Sequence, residues 1–153
     1  MRVYCAENYA AMSRRAANII SAQVITKPDS VLGLATGGTP VGAYQRLVEC
    51  YKEGDLSFAE IRSVNLDEYY GLSPRHEQSY RYFMQSNLFD HIDIKPENTH
   101  VLNGLAKDPA EECAKYNQLI EDLGGIDLQL LGMGHNGHIA FNEPGDDFGL
   151  ETH

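Results

Sequence analysis

Apolar positions along this chain alternate between short continuous runs and stretches stepped by three and four. Val31-Leu32-Gly33-Leu34-Ala35 is an unbroken run, as expected of a strand buried on both faces of a parallel sheet. Ile61–Leu66 and Asp127–Met133 are read as further strands, and Met1–Cys5 as an edge or first strand. Between them lie helical periods. Tyr9, Met12, Ala16, Ile19, Ile20 and Val24 fall on one face, with Asn8 as N-cap and Lys27-Pro28-Asp29 as the stop. Val41, Tyr44, Val48 and Tyr51 repeat the spacing, with Pro40 at the first helical position. A third helical segment covers Ser79–Leu88. Asp108–Leu123 is the clearest helix. Asp108 caps it, Pro109 opens it, and Glu111 and Glu112 favour the positive end of its dipole. Cys113, Tyr116, Ile120 and Leu123 form its expected buried stripe, and Gly124-Gly125 stops it. Alternation of this kind predicts an α/β fold, a parallel sheet with helices on its faces.

Composition narrows the class. At 153 residues the chain is expected to form a single domain, residues 1–153. Its 42% hydrophobic and 22% charged residues give an ordinary globular balance. A net charge of −10 repels nucleic acid and anionic membrane, so neither is expected as a partner. An anionic small molecule needs a local site built against that field. The N-terminus lacks the apolar stretch of a secretory signal, and Arg14-Arg15 is read as a polar helix face, not an export signal. Cys5, Cys50 and Cys113 are odd in number and far apart, which points to reduced thiols and a cytoplasmic location.

Three loops carry the candidate chemistry. In an open parallel sheet, ligands bind beyond the carboxyl ends of the strands. Thr36-Gly37-Gly38-Thr39, Asp67-Glu68 and Gly134-His135-Asn136-Gly137-His138 each follow an expected strand, so they should share one edge. The first loop suits an anion: its glycines let backbone N–H groups turn toward a ligand beside a helix N-terminus, and Thr36 and Thr39 add hydroxyls. The same residues also read as a tight turn with Thr39 as N-cap. Neither a dinucleotide fingerprint nor a P-loop is present. Asp67, where a buried strand opens into a crevice, is expected to be partly desolvated and so strengthened as a base. Strand alternation sends Asp67 and Glu68 to opposite sides. His138 suits proton transfer, with Asn136 and Glu143 near enough to curl around it, a carboxylate on one ring nitrogen fixing the tautomer. His135 and His138 are alternatively metal ligands, though no third ligand has an obvious spacing. His76, His91 and His100 are read as surface residues, and Tyr44, Tyr51 and Tyr116 as packing. Residues alone therefore suggest an acid–base enzyme acting on a small anionic metabolite.

Leu34-Ala35-Thr36-Gly37-Gly38-Thr39-Pro40, Asn65-Leu66-Asp67-Glu68-Tyr69 and Gly132–Pro144 together resemble the glucosamine-6-phosphate deaminase (isomerase) family. The resemblance runs along the whole chain. It implies a Rossmann-like α/β fold and a reaction needing neither metal nor other cofactor, in which glucosamine 6-phosphate and water give fructose 6-phosphate and ammonia. It implies that Asp67 is the base of enolisation and that His138 opens the sugar ring, supported by Asn136 and Glu143. Thr36, Gly37, Gly38 and Thr39 would cradle the phosphate. Some members carry Asp where this chain has Asn136, which can orient an imidazole but cannot neutralise its charge. The expected labels are deaminase, isomerase and hydrolase of amino-sugar metabolism, with a sugar phosphate as the small-molecule partner and a homo-oligomer compatible with the reading. The family pattern continues beyond Glu151-Thr152-His153, so the chain is expected to be incomplete at its C-terminus. Two alternatives stand beside this one. A 6-phosphogluconolactonase usually has Asp-Glu-Arg where this chain has Asp67-Glu68-Tyr69; a sugar-phosphate effector domain would bind without turnover.

Overall fold

The computed structural model describes residues 2–145 and 151–152. In chain order, the elements are α1 (Tyr9–Thr26), β1 (Val31–Leu34), α2 (Val41–Lys52), β2 (Arg62–Asn65), α3 (Tyr80–Asn87), β3 (Thr99–His100), α4 (Pro109–Asp122) and β4 (Leu128–Gln129). The four strands form one parallel sheet in the order β3-β2-β1-β4. Val31 pairs with Arg62 and Leu34 with Asn65, so β1 and β2 end level with each other. That register brings the loops after them to the same edge.

Both faces of the sheet are covered. On one, Leu32 and Leu34 meet Ala17, Ile20 and Val24 of α1 and Tyr44 and Leu47 of α2. On the other, Val31 and Val64 pack with Tyr116 of α4, flanked by Leu102, Leu119, Ile120 and Leu123. Burying each aliphatic side chain contributes about 1.5–3 kcal/mol, so these two clusters hold the helices to the strands. The α/β parallel architecture expected from the alternation is the one observed.

Several local expectations differ. Residues 2–5 form no strand and are exposed; the Arg15 guanidinium lies 3.6 Å from the Tyr4 ring centroid. On α1 the buried positions are Ser13, Ala17, Ile20 and Val24, whereas Tyr9, Met12 and Ile19 are exposed. The reason is close approach: a Cβ on Gly42 of α2 would stand only 2.5 Å from Ser13 Oγ, so small residues, not large ones, face inward. The Asn8 side chain does accept from Ala11 N–H, capping α1 as expected. Pro40 is the N-cap of α2, one position before its expected place, within the usual scatter of helix ends. β4 comprises only Leu128–Gln129 and is half-buried, because it lies at the sheet edge and its neighbour β1 ends at Leu34. On α4, Tyr116 is buried but Cys113, Ile120 and Leu123 are only partly so. β3, two residues long, carries no period that a sequence could show.

Candidate active site

Two buried tyrosines fix the strand ends that launch the first two loops. Tyr44 of α2 donates its hydroxyl proton to Ala35 O at 2.5 Å, one residue before Thr36. Tyr116 of α4 accepts from Asn65 N–H and points its hydroxyl at the Asn65 and His100 carbonyls, at 2.9 and 3.0 Å. These residues therefore do more than fill space: each phenol ties a helix to the backbone next to a candidate loop.

Beyond the strand ends lies a cavity of about 360 Å³, lined by Thr36, Thr39, Asp67, Tyr80, His138 and Phe141 among others. The three loops thus converge. Asp67 and Glu68 part company as strand alternation requires. Burial pushes the Asp67 carboxyl up to about 6, with the neighbouring Glu68 charge adding to the rise. Glu68 turns the other way and caps α3: its carboxylate accepts from Tyr80 N–H at 2.9 Å, Arg81 N–H at 3.0 Å and the Ser79 hydroxyl at 2.8 Å. These donors, the Tyr69 N–H at 2.8 Å and the positive end of a helix hold that charge, leaving Asp67 alone to face the crevice.

The third loop builds a relay. Asn136 Nδ2 donates to Glu143 Oε2 at 2.6 Å, which turns its Oδ1 toward His138 Nδ1, also at 2.6 Å. An amide oxygen accepts only, so Nδ1 carries a proton and Nε2 is the ring nitrogen left to exchange one. The arrangement corrects one expectation. Glu143 does not touch the imidazole; it acts through Asn136, because the two-residue step from 136 to 138 closes a tighter turn, with His138 N–H also reaching Asn136 Oδ1 at 3.2 Å. Gly134 makes room for the ring: a Cβ there would lie 2.1 Å from His138 Cε1.

Not every sequence candidate lines the cavity. Gly37 and Gly38 are exposed at its rim, and Asn136 and Glu143 stand behind His138. His135 is exposed, and no group of three or more His, Cys, Asp or Glu among the described residues is placed to hold a metal. His100 is half-buried on β3 instead of at the surface, and burial lowers its pKa with help from Arg81 and Arg62. Sequence reasoning missed Tyr80. Its ring lies 4.9 Å from Tyr69 and 6.0 Å from Phe141, an aromatic wall joining α3 to the second and third loops. Burial pushes its phenol pKa up, and its hydroxyl donates to the Tyr69 hydroxyl at 3.3 Å. Reading Ser79–Leu88 as a helix gave no sign of this, because the contact with Phe141 joins residues far apart in the chain.

Comparison with known proteins fits this geometry. Residues 6–146 match the profile of a family described as glucosamine-6-phosphate isomerases/6-phosphogluconolactonase. The chain belongs to this family. A glucosamine-6-phosphate deaminase of Lachnoclostridium phytofermentans is 64% identical over all 153 residues, which cover 65% of that protein. The solved structure of a monomeric glucosamine-6-phosphate deaminase superposes with a TM-score of 0.93 at 48% identity, over 96% of this chain and 61% of that one. A 6-phosphogluconolactonase of Thermotoga maritima follows at 26% identity and a TM-score of 0.75, over 90% of this chain and 62% of that one. The chain thus spans roughly three fifths of the length of these family members. The hydrolase label expected from the sequence is overturned: the high-identity relatives are deaminases, and the lactonase is a distant one. No helix among the described residues is long and apolar enough to cross a membrane.

Proposed function

We propose that the protein converts glucosamine 6-phosphate and water to fructose 6-phosphate and ammonia by side-chain acid–base catalysis. The observation that carries this reading is the presence of Asp67 and His138 on one cavity whose rim is the Thr36–Thr39 loop. Deaminase relatives at 48–64% identity support the substrate class.

In this reading the Thr36-Gly37-Gly38-Thr39 loop holds the phosphate with backbone N–H groups and two hydroxyls at the start of α2. His138 Nε2 takes the proton from the anomeric hydroxyl of the closed sugar, and its return to the ring oxygen opens the pyranose. Asn136 and Glu143 hold the imidazole in the required tautomer. Asp67 then removes the C2 proton of the open aldehyde and delivers it to C1. C2 is left as an imine, and water displaces ammonia from it. A carboxyl near 6 is stronger as a base than an exposed aspartate yet ionised at neutral pH, which suits that shuttle. Residues 1–153 act as one α/β unit, in the cytoplasm, with Cys5, Cys50 and Cys113 as free thiols. The partner is the sugar phosphate; the charge of −10 disfavours nucleic acid, and self-association is compatible with the fold.

Ammonia release from glucosamine 6-phosphate, by this chain and by a version extended to its relatives' length, tests the proposal. Release from neither, with both folded, would overturn it. Gly134→Ala gives a finer test. The added methyl meets the His138 ring, not backbone, so the fold survives while the imidazole is displaced. Turnover in the extended protein should fall roughly 10–100-fold, as misplacing a catalytic group by about 1 Å does. Thermal melting should stay near that of the parent, and equal turnover would show that His138 need not sit where it does.

A further inference from the structure

Tyr9 stands at the first position of α1 and is 50% exposed, so the ring contributes little to the core. Its hydroxyl is nonetheless fully occupied. It accepts from Gly42 N–H at 2.9 Å and points its single proton between the carbonyl oxygens of Gly38 and Thr39, each at 3.1 Å. The ring reaches them only because residue 42 is glycine: a Cβ there would stand 2.9 Å from Tyr9 Cε1. One phenol thus bridges the first helix, the candidate phosphate loop and the opening turn of α2.

We infer that Tyr9 is a positioning residue that sets the orientation of the anion-binding loop. The inference rests on the phosphate reading of Thr36–Thr39 given above. Gly37 has a φ of +91°, and a Cβ on either Gly37 or Gly38 would meet nothing within 4 Å. Neither glycine thus has a side chain of its own, or a neighbour where one would stand, to hold its peptide planes. In a trans peptide the C=O and the following N–H point in opposite directions. Tying the Gly38 carbonyl toward α1 sends the Thr39 N–H the other way, and Thr39 lines the cavity. Were that plane to turn over, a carbonyl oxygen would face the phosphate in place of a donor. The Thr39 carbonyl is held outward by the same hydroxyl, and its peptide, closed by Pro40, has no N–H to offer. The hydroxyl uses one N-terminal amide of α2, that of Gly42, and organises its neighbours in exchange.

The test is Tyr9→Phe, which removes one oxygen from a half-exposed ring. Inorganic phosphate and glucosamine 6-phosphate are titrated calorimetrically into wild type and variant of the extended protein, and ammonia release is measured alongside. The expected result is a rise of about tenfold in both the phosphate dissociation constant and the KM, the loss of one well-placed hydrogen bond. Turnover at saturation should hold within about twofold, since the phosphate contact is made alike in ground and transition states. Thermal melting should fall by no more than a few degrees, the size of a lost hydrogen bond. Unchanged phosphate affinity and KM in Tyr9→Phe, with wild type binding phosphate, would overturn the role of Tyr9 alone. Matched losses of turnover and melting temperature with KM constant would also overturn it, marking a packing role. Wild type that binds no phosphate would overturn the loop reading and this inference together.

Discussion

Asp67→Asn in the extended protein is expected to lower ammonia release by about 10²–10⁴-fold, the usual contribution of a positioned proton carrier, while sugar-phosphate binding persists. Asparagine keeps the shape and one acceptor of the side chain but cannot take the C2 proton. The parent's kcat/KM should fall as pH drops through about 6, where burial has moved the Asp67 carboxyl, because the protonated form is no base. The same burial gives a stability signature of opposite sense. With the folded carboxyl near 6 and the ordinary value at 3.8, the folded state keeps a proton that the unfolded state releases. Stability therefore decreases as pH rises from 3.8 to 6, and the cost is fully present above that window. Asparagine never ionises and escapes the cost. Asp67→Asn should thus melt a few degrees higher than the parent at pH 7.5, with the gap closing near pH 4. A nearly inactive variant that is more stable separates loss of the base from loss of the fold. Parent-like turnover would sink the base assignment, and a lower melting temperature at pH 7.5 would show that Asp67 is a structural anchor.

The crevice was legible because each of its parts is announced by a local break in pattern. Thr36-Gly37-Gly38-Thr39 interrupts an apolar run, Asp67 ends another, and His138 sits in a glycine-rich turn. One rule about parallel sheets then places all three at one edge. The structure brings Thr36, Thr39, Asp67 and His138 around one cavity. What stayed hidden depended on distance in three dimensions. The inward face of α1 is set by how closely α2 approaches at Gly42, so a rule favouring large apolar residues chose Tyr9, Met12 and Ile19 over Ser13 and Ala17. Alternation sends Glu68 away from Asp67, but nothing along the chain shows that it meets the start of a helix twelve residues later. Tyr80 and Phe141 meet across sixty residues, and no period along the chain records such a contact. β4 is short because of its neighbour's length, not its own composition.

His138→Gln should show where in the reaction the imidazole acts. Glutamine can still donate an amide N–H toward Asn136 Oδ1 and fill part of the ring's volume, but it has no base to match Nε2. If His138 serves ring opening, turnover of cyclic glucosamine 6-phosphate falls by roughly 10²–10⁴-fold. An analogue blocked at both O4 and O5, which cannot close into a furanose or a pyranose, bypasses that step. On it the parent and His138→Gln should differ by less than about tenfold, while Asp67→Asn stays inactive because enolisation still needs its base. The crossed pattern separates two proton carriers that share a cavity. Equal losses on closed and open sugars would move His138 to the enolisation step or to the departure of ammonia. The relay supplies the control. Glu143→Gln leaves Asn136 in place but removes the charge that orders its amide, so it should cost less than His138→Gln and on the closed sugar only. A larger loss for Glu143→Gln than for His138→Gln would mean that the carboxylate, not the imidazole, handles the proton.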